Sequence, residues 1–268
     1  MHDIKTKLVI LLGVVLSIVV LYGFLYLEHE WEIGLLLVAL PVAILVLKRT
    51  NMLSDYQQAA RAMPKLTLSS FIVGVLVLII LLRDEHFALL MLTTVMLYVT
   101  VSLGLTIQFG FAGLVNFAAI AFFGIGAYSM AVLNHHFNAL PDLLIILFSG
   151  LASALLGALL ILPILRTRGH YAALITIAFG ILLRTFLEVN DVFGGPQGLK
   201  VDGLEILGWN FSNSFPSLLG GGSFYMAYAI TALLLAAAAY LLTRLIEASW
   251  VGLNMDSVRL DEVASASF

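Results

Sequence analysis

Phe87–Phe109 reads FALLMLTTVMLYVTVSLGLTIQF, and from there to Leu133 the chain carries no Asp, Glu, Lys or Arg. A helix of some 20 residues, rising about 1.5 Å per residue, crosses the ~30 Å hydrocarbon core of a bilayer. Polar and apolar residues do not alternate here, so the stretch does not read as a barrel strand. The composition of the whole chain agrees. Of 268 residues, 62% are hydrophobic and 11% charged, with a mean hydropathy of +1.07. A soluble domain carries about 25% charged residues. So little charge excludes an ordinary soluble enzyme and a disordered chain. The absence of cysteine removes disulfide frameworks, thiolate metal sites and a thiol nucleophile. A net charge of −3 offers nothing to nucleic acid.

Working outward, seven further apolar runs appear: Leu8–Leu27, Ile33–Leu47, Leu66–Leu82, Leu114–Leu133, Leu143–Leu165, Tyr171–Val189 and Phe224–Thr243. Together they predict an all-α integral membrane protein, a polytopic helical bundle with about eight transmembrane helices. Ile33–Leu47 is short enough to be re-entrant, and the distribution of basic residues decides against that. With a cytoplasmic N-terminus and eight spans, ten of the thirteen Lys and Arg fall inside: Lys5, Lys7, Lys48, Arg49, Arg61, Lys65, Arg166, Arg168, Arg244 and Arg259. Skipping the second run would put most of them outside. Both ends of this chain are therefore expected in the cytoplasm. The first run is too long for the core of a cleaved signal peptide and reads as a signal anchor. The chain divides into a transmembrane part, 1–243, and a polar cytoplasmic segment, 244–268.

Three connections stand out. Gln108–Gly113 reads as a tight inner turn, and Glu188–Ser223 as a long, glycine-rich outer segment. Arg244–Phe268 forms the tail. In that tail Met255, Val258 and Val263 interleave with Asp256, Arg259, Asp261 and Glu262. Such a short amphipathic helix of mixed charge suits a protein partner better than a lipid surface, which favours Lys and Arg.

No catalytic or metal constellation is present: there is no phosphate-binding GxxxxGK[ST] and no HExxH. His135 and His136 read as solvated loop residues. No row of intramembrane carboxylates offers a proton path, so uphill transport would draw on a partner for energy. Ser149, Ser153 and Gly157 make a four-residue repeat of small side chains; Gly124, Ala127 and Ala131 share a face, as do Ala229, Ala232, Ala236 and Ala239. These are close-packing stripes. Arg184, the one basic residue within a run, either snorkels or pairs with Glu188, or else lines a path. Asn116 either bonds between helices or lines that path.

Gln108–Leu133, QFGFAGLVNFAAIAFFGIGAYSMAVL, resembles the G-x-x-G-L-x-x-x-x-x-x-A-F-x-x-x-G-A-Y signature of branched-chain amino acid ABC transporter permeases of the LivM type. Gly110, Gly113, Leu114, Ala121, Phe122, Gly126, Ala127 and Tyr128 carry it. Arg166–Arg184 is similar to a second signature through Gly169, Tyr171, Ala173, Thr176, Phe179 and Arg184. Gly194-Gly195-Pro196-Gln197-Gly198 is close to the family's GGPNG. Gly252–Phe268 resembles its cytoplasmic motif through Gly252, Val258, Arg259, Asp261, Glu262 and Ala264. The resemblance runs from about Leu89 to Phe268, with all four motifs in order. Ile181, Gln197 and Leu253 depart from the usual Glu, Asn and Arg.

The resemblance implies a transport subunit, not an enzyme, with no bound cofactor or metal. It implies a multi-pass protein of the bacterial inner membrane, in contact with lipid. Its partners would be a second homologous permease, two cytoplasmic ATPase subunits and a periplasmic substrate-binding protein, and its substrates leucine, isoleucine and valine. Urea, short amides or other amino acids are alternatives within the family. Asn116, Phe117 and Arg184 are expected on the translocation path. Gly194, Gly195, Pro196 and Gly198 are expected in the external loop, and Gly252, Arg259, Asp261 and Glu262 at the ATPase. Relatives continue beyond this motif into further spans, so a truncated chain, or a non-functional remnant, is a further expectation. A self-contained channel or secondary carrier is the rival outside the family.

Overall fold

The computed structural model describes residues 2–27, 29–136, 140–164, 170–206, 208–213, 221–261 and 265. Helices dominate. In chain order they are α1 (His2–Tyr26), α2 (Glu30–Arg49), α3 (Met52–Ala62), α4 (Pro64–Leu81), α5 (His86–Leu105), α6 (Ala119–His136), α7 (Asp142–Ile164), α8 (His170–Val189), α9 (Tyr225–Glu247) and α10 (Trp250–Leu260). A π-helical segment, Thr106–Phe111, follows α5. One small hairpin, β1 (Glu205–Ile206) and β2 (Trp209–Asn210), pairs antiparallel with Glu205 opposite Asn210.

Among the described residues, seven helices are long and apolar enough to cross a membrane: α1, α2, α4, α5 with its π segment, α7, α8 and α9. The second run is one continuous helix of 20 residues. The fifth run differs from expectation in two ways. Leu114–Ala118 is not helical, and α6 begins only at Ala119. The polar Asn134-His135-His136 ends that helix, and α6 is not among the seven. His135 and His136 accordingly sit in a last helical turn, exposed, instead of in a loop.

The chain forms two compact units. The first comprises Met1–Met96 and Ser214–Ala237, the second Leu97–Asn213 and Ala238–Phe268. In the first, α1 packs on α4, with Val14 and Ile18 of α1 against Gly74 of α4, and Ile10, Val75, Leu78 and Ile79 are buried within the same unit. Gly74 lets the helices approach: a Cβ there would lie 2.9 Å from Ile18 Cγ1. Helix α3 was not foreseen from the sequence. Its Leu53, Tyr56 and Ala59, three residues apart, share the less exposed face, against α1, α2 and α4. Further along the same unit, the Ser223 N–H donates to the Arg83 carbonyl at 2.8 Å, and Ala229, Ala232 and Ala236 are buried on one face of α9.

In the second unit α6 packs along α7. The Ser153 hydroxyl donates to the Phe122 carbonyl at 2.8 Å, and the position of Gly157 lies against the Phe122 ring. The Ser149–Ser153–Gly157 stripe is thus a helix seam, as expected of small residues where dispersion and hydrogen bonding drive association. Outside these seams the helices expose large apolar side chains: α2 has no buried residue, and Leu35, Val38 and Leu45 are among those exposed. That is the surface a lipid solvent accepts.

Enlarging the α1–α4 seam tests this packing. Gly74→Val should cost about 1–3 kcal/mol through overpacking and lower the unfolding temperature in detergent. Gly34→Ala, with nothing within 4 Å of the added methyl, should not lower it, since alanine is the better helix former.

Candidate functional site

In the second unit, the apolar helix α5 loses its regular hydrogen bonding at Thr106. The bonds widen to i→i+5, with the Ala112 N–H donating to the Ile107 carbonyl at 3.2 Å. The expected tight turn at Gln108–Gly113 is therefore mostly a π segment, closed by Gly113 at φ +68°. Beyond it, Leu114–Ala118 leaves main-chain groups without helical partners. Each such group costs several kcal/mol in hydrocarbon, and side chains take their place. The Phe117 N–H donates to Thr176 Oγ1 on α8 at 3.1 Å, and the Ala118 N–H to Asn116 Oδ1 at 2.7 Å. The Asn116 amide donates to Gln108 Oε1 at 2.6 Å, and the Leu114 N–H to the Gln108 carbonyl at 3.0 Å. Thr176, fully buried, donates in turn to the Ala173 carbonyl at 2.8 Å.

A cavity of about 500 Å³ lies beside this segment. Its polar groups are Gln108, Asn116, Ser153 and Thr176, and Leu114, Phe122 and Leu160 are among its apolar ones. Among the described residues its lining holds no ionisable side chain. The size falls in the usual range for small-molecule sites, about 300–1,000 Å³. Interrupted helices with re-satisfied backbone beside a cavity are how transporters build binding sites in an apolar protein.

The expected path residues are not brought together. Asn116 lines the cavity. Phe117 does not: its main chain meets Thr176 while its ring is exposed. The Arg184 side chain is 80% exposed and donates from Nε to Glu188 Oε1 at 2.8 Å, away from the cavity lining. The pairing with Glu188 is thus present. Gln108, Ser153 and Thr176 were not singled out as path residues. Their signal in the sequence was only a polar side chain inside an apolar run.

The loop forms two consecutive 3₁₀ turns, Asp191–Phe193 and Gly195–Gln197; Gly194 stands between them, Gly195 and Pro196 lie in the second, and Gly198 ends it. Gly194 has φ +81°, and a Cβ there would collide with the Gly198 main chain. Phe193 anchors the turn edge-on to Tyr128 of α6 at 6.1 Å and tilted to Phe186 of α8 at 5.5 Å. Nearby, Asp142 is buried and accepts from the Glu205 N–H at 2.5 Å and from Asn134 Nδ2 at 3.3 Å, tying the hairpin to α6 and α7.

Trp250–Leu260 is a helix, as the amphipathic pattern suggested. Its Ser249 cap accepts the Gly252 N–H, and a Cβ at the buried Gly252 would collide with the Ile246 carbonyl. Arg259 bonds within the chain: Nη1 to the Gly110 carbonyl at 2.5 Å and Nη2 to Asp256 Oδ1 at 3.0 Å. Asp261 caps the helix; Glu262 lies outside the described residues.

Seven apolar spans among the described residues, with an interrupted helix beside a cavity, define a polytopic helical membrane protein. Residues 87–268 match the family model described as branched-chain amino acid transport system / permease component, and the chain belongs to that family. It is 33% identical over 195 residues to the high-affinity branched-chain amino acid transport system permease protein LivM of Salmonella typhimurium. It is 31% identical over 195 residues to the Escherichia coli protein of the same name. These alignments cover 65% of this chain and 44% of each relative. No solved structure matches.

Removing one acceptor tests the interrupted segment. Thr176→Val strands the Phe117 N–H and should cost about 1–3 kcal/mol, read as a lower unfolding temperature. Thr176→Ser, which keeps the oxygen, should recover most of it.

Proposed function

We propose that the chain is the permease subunit of an ATP-binding-cassette importer and conducts leucine, isoleucine and valine by alternating access through the cavity beside Leu114–Ala118. The observation that carries this reading is the cavity's division into neutral polar groups and an apolar wall. A branched aliphatic side chain gains by leaving water. The ammonium and carboxylate of a zwitterion each need polar partners on leaving water, and the amide and hydroxyl groups of Gln108, Asn116, Ser153 and Thr176 are the ones this cavity offers. In this reading the chain sits in the bacterial inner membrane with α10 on the cytoplasmic side. It pairs with a second homologous permease, two ATPase subunits and a periplasmic binding protein that meets the Gly194–Gly198 turn.

The ATPase would meet the segment from Gly252 to Glu262, where Leu253, Val258 and Leu260 are exposed beside Asp261. ATP binding and hydrolysis would shift the equilibrium between inward- and outward-open states, which requires the ATPase to hold this segment differently in the two.

Reconstitution with the ATPase, second permease and binding protein should give leucine uptake that stops without ATP. Flux without the ATPase would mean a self-contained carrier. Uptake of urea or a short amide, with none of leucine, would move the substrate class. Asn116→Ala should raise the KM for leucine roughly tenfold, the value of one good polar contact. Val258→Asp should reduce co-purification of the ATPase.

A further inference from the structure

We propose that Arg259 is a positioning residue: it latches α10 to the π segment and so holds the polar rim of the cavity in place. The inference rests on the proposed importer reading and adds how the coupling helix would act on the site.

The Gly110 carbonyl stands near the C-terminal end of a helical segment, where carbonyls lack helical partners and carry the negative end of the helix dipole. Arg259 Nη1 supplies the missing donor at 2.5 Å, from 149 residues away in the chain. Asp256, one turn earlier on α10, holds the other guanidinium nitrogen at 3.0 Å. Gly113 makes room: a Cβ there would lie 2.9 Å from Arg259 Cγ, and its φ of +68° suits glycine. The stem of Arg259 thus passes over Gly113, where no side chain stands in its way.

What the latch holds is the cavity rim. Gln108 lies two residues before Gly110. Its main-chain carbonyl accepts from Leu114, and its side chain accepts from Asn116, which in turn caps the start of α6. A displacement of α10 that pulls Arg259 from Gly110 would free a π segment whose own bonding is weak, and Gln108 and Asn116 with it. This is a physical link through contiguous contacts between α10 and the cavity, which a two-state element requires. It makes Arg259 an internal link, where the sequence motif placed it at the ATPase surface.

The chain has no cysteine, so Ala154→Cys provides a single thiol reporter in the cavity lining. In the assembled transporter, Arg259→Ala should raise the rate of modification by a small thiol reagent roughly three- to tenfold. That range is set by loss of one charge-assisted hydrogen bond from a half-exposed arginine. Arg259→Lys, which keeps one donor, should fall between. Yield of the ATPase complex should be unchanged, while leucine taken up per ATP hydrolysed falls. Unchanged labelling in Arg259→Ala overturns the latch. So does loss of the ATPase complex in that variant, which would return Arg259 to the docking surface. The importer reading fails separately, if the transporter with native Arg259 takes up no leucine whatever the labelling shows.

Discussion

A backbone that leaves the helix inside an apolar protein must find partners for every freed N–H and carbonyl. Thr106–Ala118 is where this constraint bears on the chain, and the second unit's chemistry follows from it. Thr176, Asn116 and Gln108 are polar residues in an otherwise apolar stretch: Thr176 and Asn116 each replace a lost main-chain bond, and Gln108 holds Asn116 in place. Because those replacements are neutral amides and a hydroxyl, the same groups that repair the backbone give the adjoining cavity a polar side without charge. Repair and recognition are thus one device here, and a residue that served only one of the two would be costlier to keep buried.

The arrangement also explains why small residues crowd this region. The Ser149–Ser153–Gly157 stripe draws α7 onto α6 closely enough for Ser153 to reach the Phe122 carbonyl. Phe122 then stands against Phe179 of α8 at 5.9 Å. The cavity is bounded by these contacts, so its width is set by the size of the residues at 150, 153, 154, 157 and 158. A larger side chain in the stripe would either part α6 from α7 or fill the space.

Much of this was legible in the sequence, and for a physical reason. Apolar runs long enough for a bilayer have few alternatives to helix, so most spans fall where hydropathy puts them. The amphipathic pattern after Trp250 likewise gave a helix. The interruption was not legible. Leu114–Ala118 is as apolar as the helices around it, and hydropathy is blind to whether a main-chain bond runs to i+4, to i+5 or to a side chain. Asn116 was recognisable as a polar residue out of place. Its partner Gln108 and the acceptor Thr176, eight and sixty residues away, were not, because hydrogen bonds between separate elements leave no periodic trace. Helix α3 escaped for the opposite reason: it is short and half polar, and its inward face is only one residue wide.

Arg184 and Arg259 show how far position alone can mislead about a charge. Arg184 lies within an apolar run, the usual mark of a functional ion. Yet its side chain is exposed and pairs with Glu188 one turn on, near the end of α8, where the pairing offsets part of the cost of the charge. Arg259 lies in a polar tail, where a cation needs no explanation. Its guanidinium nevertheless turns inward to a main-chain carbonyl at a helix end and past a glycine that leaves space for its stem. A surface cation is free to choose water or a carboxylate. One that also takes up an otherwise unpartnered carbonyl 149 residues away couples two parts of the chain that sequence separates. That geometry makes the interrupted segment answerable to what happens at α10.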